Sequence, residues 1–157
     1  MRLDTPTPIN TLQLLHLLQL SSPTLPIGGF AWSQGLETAI DRQWLKGEGD
    51  LADWLQGVMQ HSLVHQEWPL LQRLMHNIVE GNRDQVIHWN AVALALRETA
   101  ELRQQDLQTG AALVILLRDL NDPSVEHWHR QETSYLTAFS LAAVARSIPN
   151  DAACAAM

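Results

Sequence analysis

The sequence is poor in cysteine: Cys154 is the only one among 157 residues. A single cysteine excludes an intrachain disulfide framework of the kind that holds small secreted domains together. A lone thiol fits a reducing compartment, so we expect the protein in the cytoplasm. We expect no catalytic role for Cys154, because it lies in an alanine-rich end predicted to fray, where nothing would lower the pKa of its thiol.

Runs of basic residues are also missing. The chain has 10 Lys and Arg against 17 Asp and Glu, a net charge of -7, and its basic residues are scattered from Arg2 to Arg146. Nucleic-acid binding depends on clustered Lys and Arg that displace counterions from phosphates. We therefore expect no nucleic-acid partner.

No apolar run approaches the roughly 18 residues needed to cross a bilayer. The leucine-rich stretch from Leu12 to Leu20 is interrupted by Gln13, His16 and Gln19, and no small-residue cleavage site follows it. This stretch is typical of an amphipathic helix and not of a signal peptide. We expect no membrane partner.

Strand-like alternation, internal repeats and low-complexity tracts are absent, whereas apolar residues reach 46% and charged residues only 17%. This composition supports a buried core. The sequence predicts an all-α fold, a single-domain bundle of about six to seven helices. Residues 1–9, with Pro6 and Pro8, are predicted to form a flexible N-terminal arm, and 10–157 the all-helical domain.

Helix-breaking residues and capping residues predict the boundaries of the helices. Ser33 and Asp50 are suitable N-caps, and Pro69 should start or kink a helix. The longest segment is either one helix or two helices broken near Gly110. A last helix beginning at Asp151 is too short to be stable alone. The predicted helices are 10–20, 33–42, 50–66, 69–81, 84–120 and 131–146.

Six tryptophans are many for this length, and most of them should belong to the core because they bury a large area. Trp32 differs, since with Phe30 it lies in a Pro/Gly-rich loop that cannot bury both rings locally. The two rings are either interface anchors or core residues. The leucines of 12–20 exceed what one face of a helix can bury, which favours packing against a partner.

Seven histidines raise the possibility of a metal site. His61 and His65 would share one helix face, with Glu67 nearby, whereas His127 and His129 flank a tryptophan. The HExxH pattern of zinc hydrolases is not present. Surface or packing roles are therefore favoured, and we expect no metal ligands. A small helical metal-dependent hydrolase using His61, His65 and Glu67 stays open as an alternative function.

Acidic residues outnumber basic ones within residues 37–67, where only Arg42 and Lys46 are basic. The acidic ones are Glu37, Asp41, Glu48, Asp50, Asp53 and Glu67. This stretch is either a surface that meets a basic patch on a partner or simply a solvated face.

The most specific pattern is residues 17–37, LLQLSSPTLPIGGFAWSQGLE. It closely resembles the N-terminal signature of UreF proteins, in which a leucine-rich helix leads into a Ser-Pro-x-x-Pro-Ile/Val-Gly loop and then Ser-x-Gly-Leu/Ile-Glu. The resemblance marks as candidate partner-binding residues Pro26, Gly28, Gly29, Phe30, Trp32, Ser33, Gly35 and Glu37.

A second block is similar to the same family. It comprises RETAELR from Arg97 to Arg103 and a glycine downstream, Gly110, so that Arg97, Glu98, Arg103 and Gly110 form a family-motif helix. Arg97 and Glu101 are one helical turn apart and are predicted to pair.

The resemblance covers most of residues 10–148. It implies an all-α, non-enzymatic accessory protein that forms a homodimer, binds UreD or UreH, and recruits the GTPase UreG to the urease apoprotein. No cofactor would be bound, and nickel would be the delivered metal. The chain is expected to lack the C-terminal region of the family. A generic helical interaction module remains a further alternative.

Overall fold

The computed structural model of the chain describes residues 7–29, 35–126, 128 and 132–157. Within these residues the structure is helical and contains no strand, which confirms the all-α prediction. A π-helical segment, Met59–Glu67, joins α3 to α4 without a break, and a 3-10 turn spans Pro123–Val125. The α-helices are α1 (Thr11–Leu20), α2 (Leu36–Asp41), α3 (Glu48–Val58), α4 (Trp68–Val79), α5 (Arg83–Ala95), α6 (Ala100–Asp119), α7 (Tyr135–Ala145) and α8 (Asn150–Ala155).

The rod made by α3, the π segment and α4 counts as one helical segment, so the described residues form seven, in agreement with the prediction. None of the helices that the structure describes has the length and apolar character needed to cross a membrane.

Helix α7 lies at the centre of the core, packed against α4 and α6. Eight of its eleven residues are buried. Its polar groups are satisfied locally, since the Ser140 hydroxyl donates to the Leu136 carbonyl oxygen at 2.7 Å. Small residues such as Ala138 and Ala142 let neighbouring helices approach closely. The largest buried side chains around this axis are Phe139, Leu71, Leu74, Leu113, Leu117 and Leu136.

The first helix lies within one residue of the predicted bounds, and a capping box fixes its start. Asn10 and Gln13 form a reciprocal capping box, and the Gln13 side-chain amide also donates to the Ser147 carbonyl. Upstream, the Thr7 backbone N–H donates to the Asp151 carboxylate at 2.9 Å. The described part of the predicted arm therefore contacts α8.

The rod from α3 to α4 corrects two expected boundaries. It begins at Glu48 and runs unbroken to Val79, so Pro69 does not separate two helices. Asp50 is not the cap; it lies in the first turn and its carboxylate accepts the Lys46 backbone N–H at 2.8 Å. Pro69 stands in the first turn of α4, directly after the π segment, where its missing N–H interrupts no regular α-helical hydrogen bond.

The predicted segment 84–120 is broken at a different place. Helix α5 ends at Ala95 and α6 begins at Ala100, whereas α6 runs straight through Gly110. Thr99 explains the new start, because its hydroxyl oxygen accepts the Leu102 backbone N–H at 3.2 Å as an N-cap. The expected break near Gly110 is wrong.

The expectation that most tryptophans belong to the core holds for three of the five described ones, because Trp128 is in the core and Trp68 and Trp89 pack against it. Trp128 is buried, and its indole N–H donates to the Thr133 hydroxyl at 2.8 Å. Trp44 is largely exposed. The remaining described tryptophans, half-buried at the edge of the core or on α3, are Trp54, Trp68 and Trp89.

The alanine-rich end does not fray. Helix α8 packs against α4, and both Ala153 and Cys154 are buried. Burial, and secondarily the negative charge of Asp151, raises the pKa of the Cys154 thiol. A raised pKa leaves less thiolate at neutral pH, so Cys154 is an inert core residue.

A partly buried ion pair joins the connection between α6 and α7 to the end of α7. The Asp122 carboxylate accepts the Ser124 backbone N–H at 2.9 Å and lies 2.7 Å from the Arg146 guanidinium. Burial alone would raise the pKa of Asp122, but the Ser124 hydrogen bond and the Arg146 charge outweigh it and hold that pKa below its usual value.

We expect Asp122→Asn to flatten the acid dependence of stability. A carboxyl group with a lowered folded pKa stabilises the fold above its unfolded pKa of about 3.9, and this contribution is lost as pH falls through the folded value. The asparagine oxygen can still accept the Ser124 N–H, so the change isolates the charge. Urea denaturation should show the variant to be less stable at pH 7, with the difference shrinking as the pH falls below the unfolded pKa and through the lower folded pKa. A constant difference across this range would contradict the assignment.

Candidate protein-interaction site

The candidate partner-binding residues of the N-terminal motif that the structure describes all lie at the surface. Pro26, Gly28 and Gly29 are exposed in the loop after α1, and Gly35 and Glu37 are exposed at the start of α2. Gly28 and Gly35 have φ angles of 74° and 89°, a left-handed backbone that favours glycine. The motif glycines therefore shape the turn.

Three further motif residues, Phe30, Trp32 and Ser33, lie outside the described residues. The predicted cap Ser33 is one of them, and the described part of α2 begins at Leu36, directly after Gly35.

The loop after α1 folds back along that helix and encloses a surface groove. The groove has a volume of about 450 Å³ and is open to solvent. Leu17 and Leu20 point into the core, whereas four other leucines of α1 remain exposed: Leu12, Leu14, Leu15 and Leu18. An exposed apolar face of this kind marks interaction surfaces in other proteins. The residues that line the groove are Leu15, Leu18, Gln19, Ser22, Thr24, Leu25 and Pro26.

Arg97 of the second motif lies at the centre of a partly buried group of ionised side chains. The guanidinium contacts two carboxylates, with Nη1 2.6 Å from Glu67 Oε1 and Nε 3.0 Å from Asp106 Oδ2. The side chains of Arg97, Glu67 and Asp106 are only 23%, 12% and 6% exposed. We call these three residues the Arg97 cluster.

The predicted pair between Arg97 and Glu101 is wrong. Arg97 lies in the break between α5 and α6, not on α6, so the one-turn spacing to Glu101 does not apply. Burial alone would lower the pKa of Arg97, but the charges of Glu67 and Asp106 raise it above its usual value. The guanidinium therefore remains charged and holds the two carboxylates.

The Arg97 cluster continues into the start of α7. The second carboxylate oxygen of Asp106 accepts the Tyr135 backbone N–H at 2.9 Å, which places a negative charge at the positive end of that helix. Burial, and to a lesser degree the charge of Glu67, raises the pKa of Tyr135 to about 12. The Arg97 cluster thus connects the π segment, the break before α6, α6 itself and α7.

Gly110 has a packing role in the middle of α6. A Cβ at this position would lie 2.1 Å from the Thr133 carbonyl oxygen and 2.7 Å from the Ser134 carbonyl carbon. Asn90 holds the same segment, because its amide donates to the Glu132 carbonyl at 2.7 Å and its oxygen accepts the Ser134 N–H at 2.9 Å. Glycine is required for this close approach.

The two other candidate residues of the second motif, Glu98 and Arg103, lie at the surface. Glu98 is exposed, and Arg103 forms a 3.4 Å ion pair with Glu132. This pair is well solvated, with the side chains 47% and 70% exposed. The second motif therefore divides into an internal part, Arg97 and Gly110, and a surface part.

The residues proposed as metal ligands are either exposed, held in an ion pair, or outside the described part of the chain. His61 and His65 are exposed on the π segment, and Glu67 is engaged by Arg97. His127 and His129 lie outside the described residues. Across the described ranges, no group of three or more His, Cys, Asp or Glu side chains is placed to hold a metal ion.

Comparison with known proteins identifies the same family that the two motifs resemble. The family model described as UreF matches residues 45–157. Three relatives each carry the name "Urease accessory protein UreF". The protein from Marinobacter nauticus is 44% identical over 150 residues, which are 95% of this chain and 65% of the relative.

The protein from Pseudoalteromonas translucida is 43% identical over 148 residues, 92% of this chain and 63% of the relative. The one from Psychrobacter cryohalolentis is 42% identical over 154 residues, 95% of this chain and 66% of the relative. The chain thus spans just under two thirds of the length of these relatives. Because the UreF family model matches residues 45–157, which are most of the chain, the chain belongs to the UreF family.

Proposed function

We propose that this chain is a non-catalytic adaptor in the maturation of the urease metallocentre. It acts in the cytoplasm as a homodimer, together with a UreD/UreH-like accessory protein and a UreG-like GTPase, on the urease apoprotein. Nickel is the delivered metal and no cofactor is resident. The observation that carries this proposal is 44% identity over 150 residues to a protein named urease accessory protein UreF.

The described structure suits an adaptor for a physical reason. An adaptor needs a rigid interior that presents apolar surface, because interfaces depend on a few anchors in fixed positions. The Arg97 cluster and Gly110 supply internal rigidity. The exposed leucines of α1 and the loop containing Pro26 supply apolar surface.

Co-purification tests the proposal. The tagged chain is expressed with UreD/UreH-like, UreG-like and urease subunits, and we expect it to elute with the accessory proteins. Metal analysis of the chain alone should give no stoichiometric metal, and substrate panels should give no turnover. Elution of the chain alone at matched expression, or hydrolytic turnover lost on His61→Ala, would contradict the proposal and, in the second case, favour the hydrolase.

Replacing two exposed leucines of the groove should weaken partner binding. We expect Leu15→Ser with Leu18→Ser to reduce the affinity for the UreD/UreH-like protein by about 2 kcal/mol or more, the range typical of interface anchors. Both side chains are exposed, so the fold should be kept. Leu120→Ser, at an exposed leucine after α6, is the matched control. Titration calorimetry that shows equal affinities for the two variants would refute the assignment of the groove.

A further inference from the structure

Helix α3 carries an apolar stripe that the described chain does not cover. Leu51, Trp54, Leu55 and Val58 recur at the spacing of one helix face, a pattern that normally packs against a core. No residue of α3 is buried, and Leu51, Leu55 and Val58 are 36%, 50% and 39% exposed. The main contacts of α3 are with the π segment that continues it. We call these four residues the α3 stripe.

Acidic residues border the α3 stripe. At about 100° per residue, Glu48 falls beside Leu55 at one edge and Asp50 beside Trp54 at the other. Lys and Arg are absent from residues 48–67. Glu67, at the far end, is already paired with Arg97, so the unbalanced negative charge lies next to the stripe.

We propose that the α3 stripe docks a partner protein whose contact surface is apolar at its centre and rimmed by Lys or Arg. The negative charge at both edges of the α3 stripe favours this kind of partner over the alternatives. A second copy of the chain on the same stripe would place Glu48 and Asp50 against their own counterparts, and an anionic lipid surface would repel them equally. The basic rim of such a partner lies against Glu48 and Asp50 at the two edges, and its apolar centre covers the α3 stripe. The proposal rests on the proposed function only in requiring that the chain works by binding proteins.

The test uses the full chain and two designed helical peptides. Both carry leucines at i, i+3, i+4 and i+7; one is flanked by lysines and the other by glutamates. Fluorescence anisotropy should show binding of the lysine peptide and at least about tenfold weaker binding of the glutamate peptide. Leu55→Ser should weaken lysine-peptide binding about tenfold, whereas the equally exposed control Leu120→Ser should leave it unchanged. Circular dichroism and Tm verify that both variants fold.

Salt dependence gives a second readout. Glu48→Gln with Asp50→Asn should weaken lysine-peptide binding at low salt and reduce its salt dependence, because screened charge attraction is removed. The asparagine oxygen still accepts the Lys46 N–H, so the first turn is kept. Unchanged affinity and salt dependence in this variant would overturn the proposal.

Other occupants have distinct signatures. Absence of lysine-peptide binding overturns the proposal. A second overturning result is a dimer in sedimentation that Leu55→Ser converts to a monomer, together with no affinity of the chain for the lysine peptide. This result assigns the α3 stripe to a second copy of the chain. Leu55-dependent binding to phosphatidylglycerol vesicles without peptide affinity also overturns it. Failure of the proposed function is separate: in that case the accessory proteins do not co-purify although the lysine peptide binds.

Discussion

Replacing Arg97 with methionine should lower the free energy of unfolding by about 3 kcal/mol at pH 7. The change leaves the carboxylates of Glu67 and Asp106 with little solvent and no cation. Removing one partner from a fully buried ion pair typically costs about 3–5 kcal/mol, and the partial exposure of Arg97 favours the lower end. Urea denaturation measures the loss.

Arg103→Met provides the matched control for the Arg97 prediction. Its ion pair with Glu132 is longer, at 3.4 Å, and well solvated, so we expect a loss below about 1 kcal/mol. Combining Arg97→Met with Glu67→Gln should recover part of the stability, because the second change removes an uncompensated charge. Equal losses for Arg97→Met and Arg103→Met, without recovery in the double variant, would show that the Arg97 cluster does not stabilise the fold.

Gly110→Ala should destabilise the protein by about 2 kcal/mol or more, although alanine is normally the better helix former. The new methyl group would lie 2.1 Å from the Thr133 carbonyl oxygen, which is backbone and cannot rotate away. Asn90 and Trp128 anchor the same segment through hydrogen bonds. Overpacking of this kind costs about 1–3 kcal/mol and occasionally more.

Gly57→Ala is the control for the Gly110 prediction. Gly57 is also helical, but apart from its chain neighbours and its own turn of helix backbone, no heavy atom lies within 4 Å of the position that its Cβ would take. Intrinsic propensity should then dominate, and the variant should gain up to about 1 kcal/mol. Thermal and urea denaturation of both variants should give opposite signs. A stabilising Gly110→Ala would show that the segment 132–134 does not constrain this position.

Some elements that the sequence predicted well are fixed by local contacts. The capping box of Asn10 and Gln13 sets the start of α1, and Gly81, with φ of 68°, follows the end of α4 near the predicted position. In both places the determining contacts lie within a few residues along the chain. Sequence alone therefore predicts them.

Other features depend on contacts between distant residues. Gly110 looks like a helix breaker, but α6 continues through it, and the glycine makes room for the close approach of segment 132–134. Arg97 and Glu101 match a helical pair, yet the partners of Arg97 are Glu67, 30 residues upstream, and Asp106. The Thr99 cap was a local signal that could have located the break before α6. The long-range partners could not be predicted without the fold.

The candidate interaction site shows the same division. The family motif marked Pro26, Gly28 and Gly29 as candidate partner-binding residues; they are exposed, and their role in binding stays a prediction. Period analysis of Leu12 to Leu20 predicted more leucine than one face can bury, and α1 does leave four leucines exposed. The uncovered α3 stripe required the structure, because its spacing alone is typical of a helix packed on a core.

Urease activity in cells is the most direct measurement of the central claim, that this chain serves in urease maturation. Cells that express urease and its other accessory proteins but lack their own UreF receive this chain, the Marinobacter nauticus relative or an empty vector, at matched expression. We predict nickel-dependent urease activity above the empty-vector level with this chain. Activity no higher than the empty vector, with folded chain present and the relative active, would contradict the account.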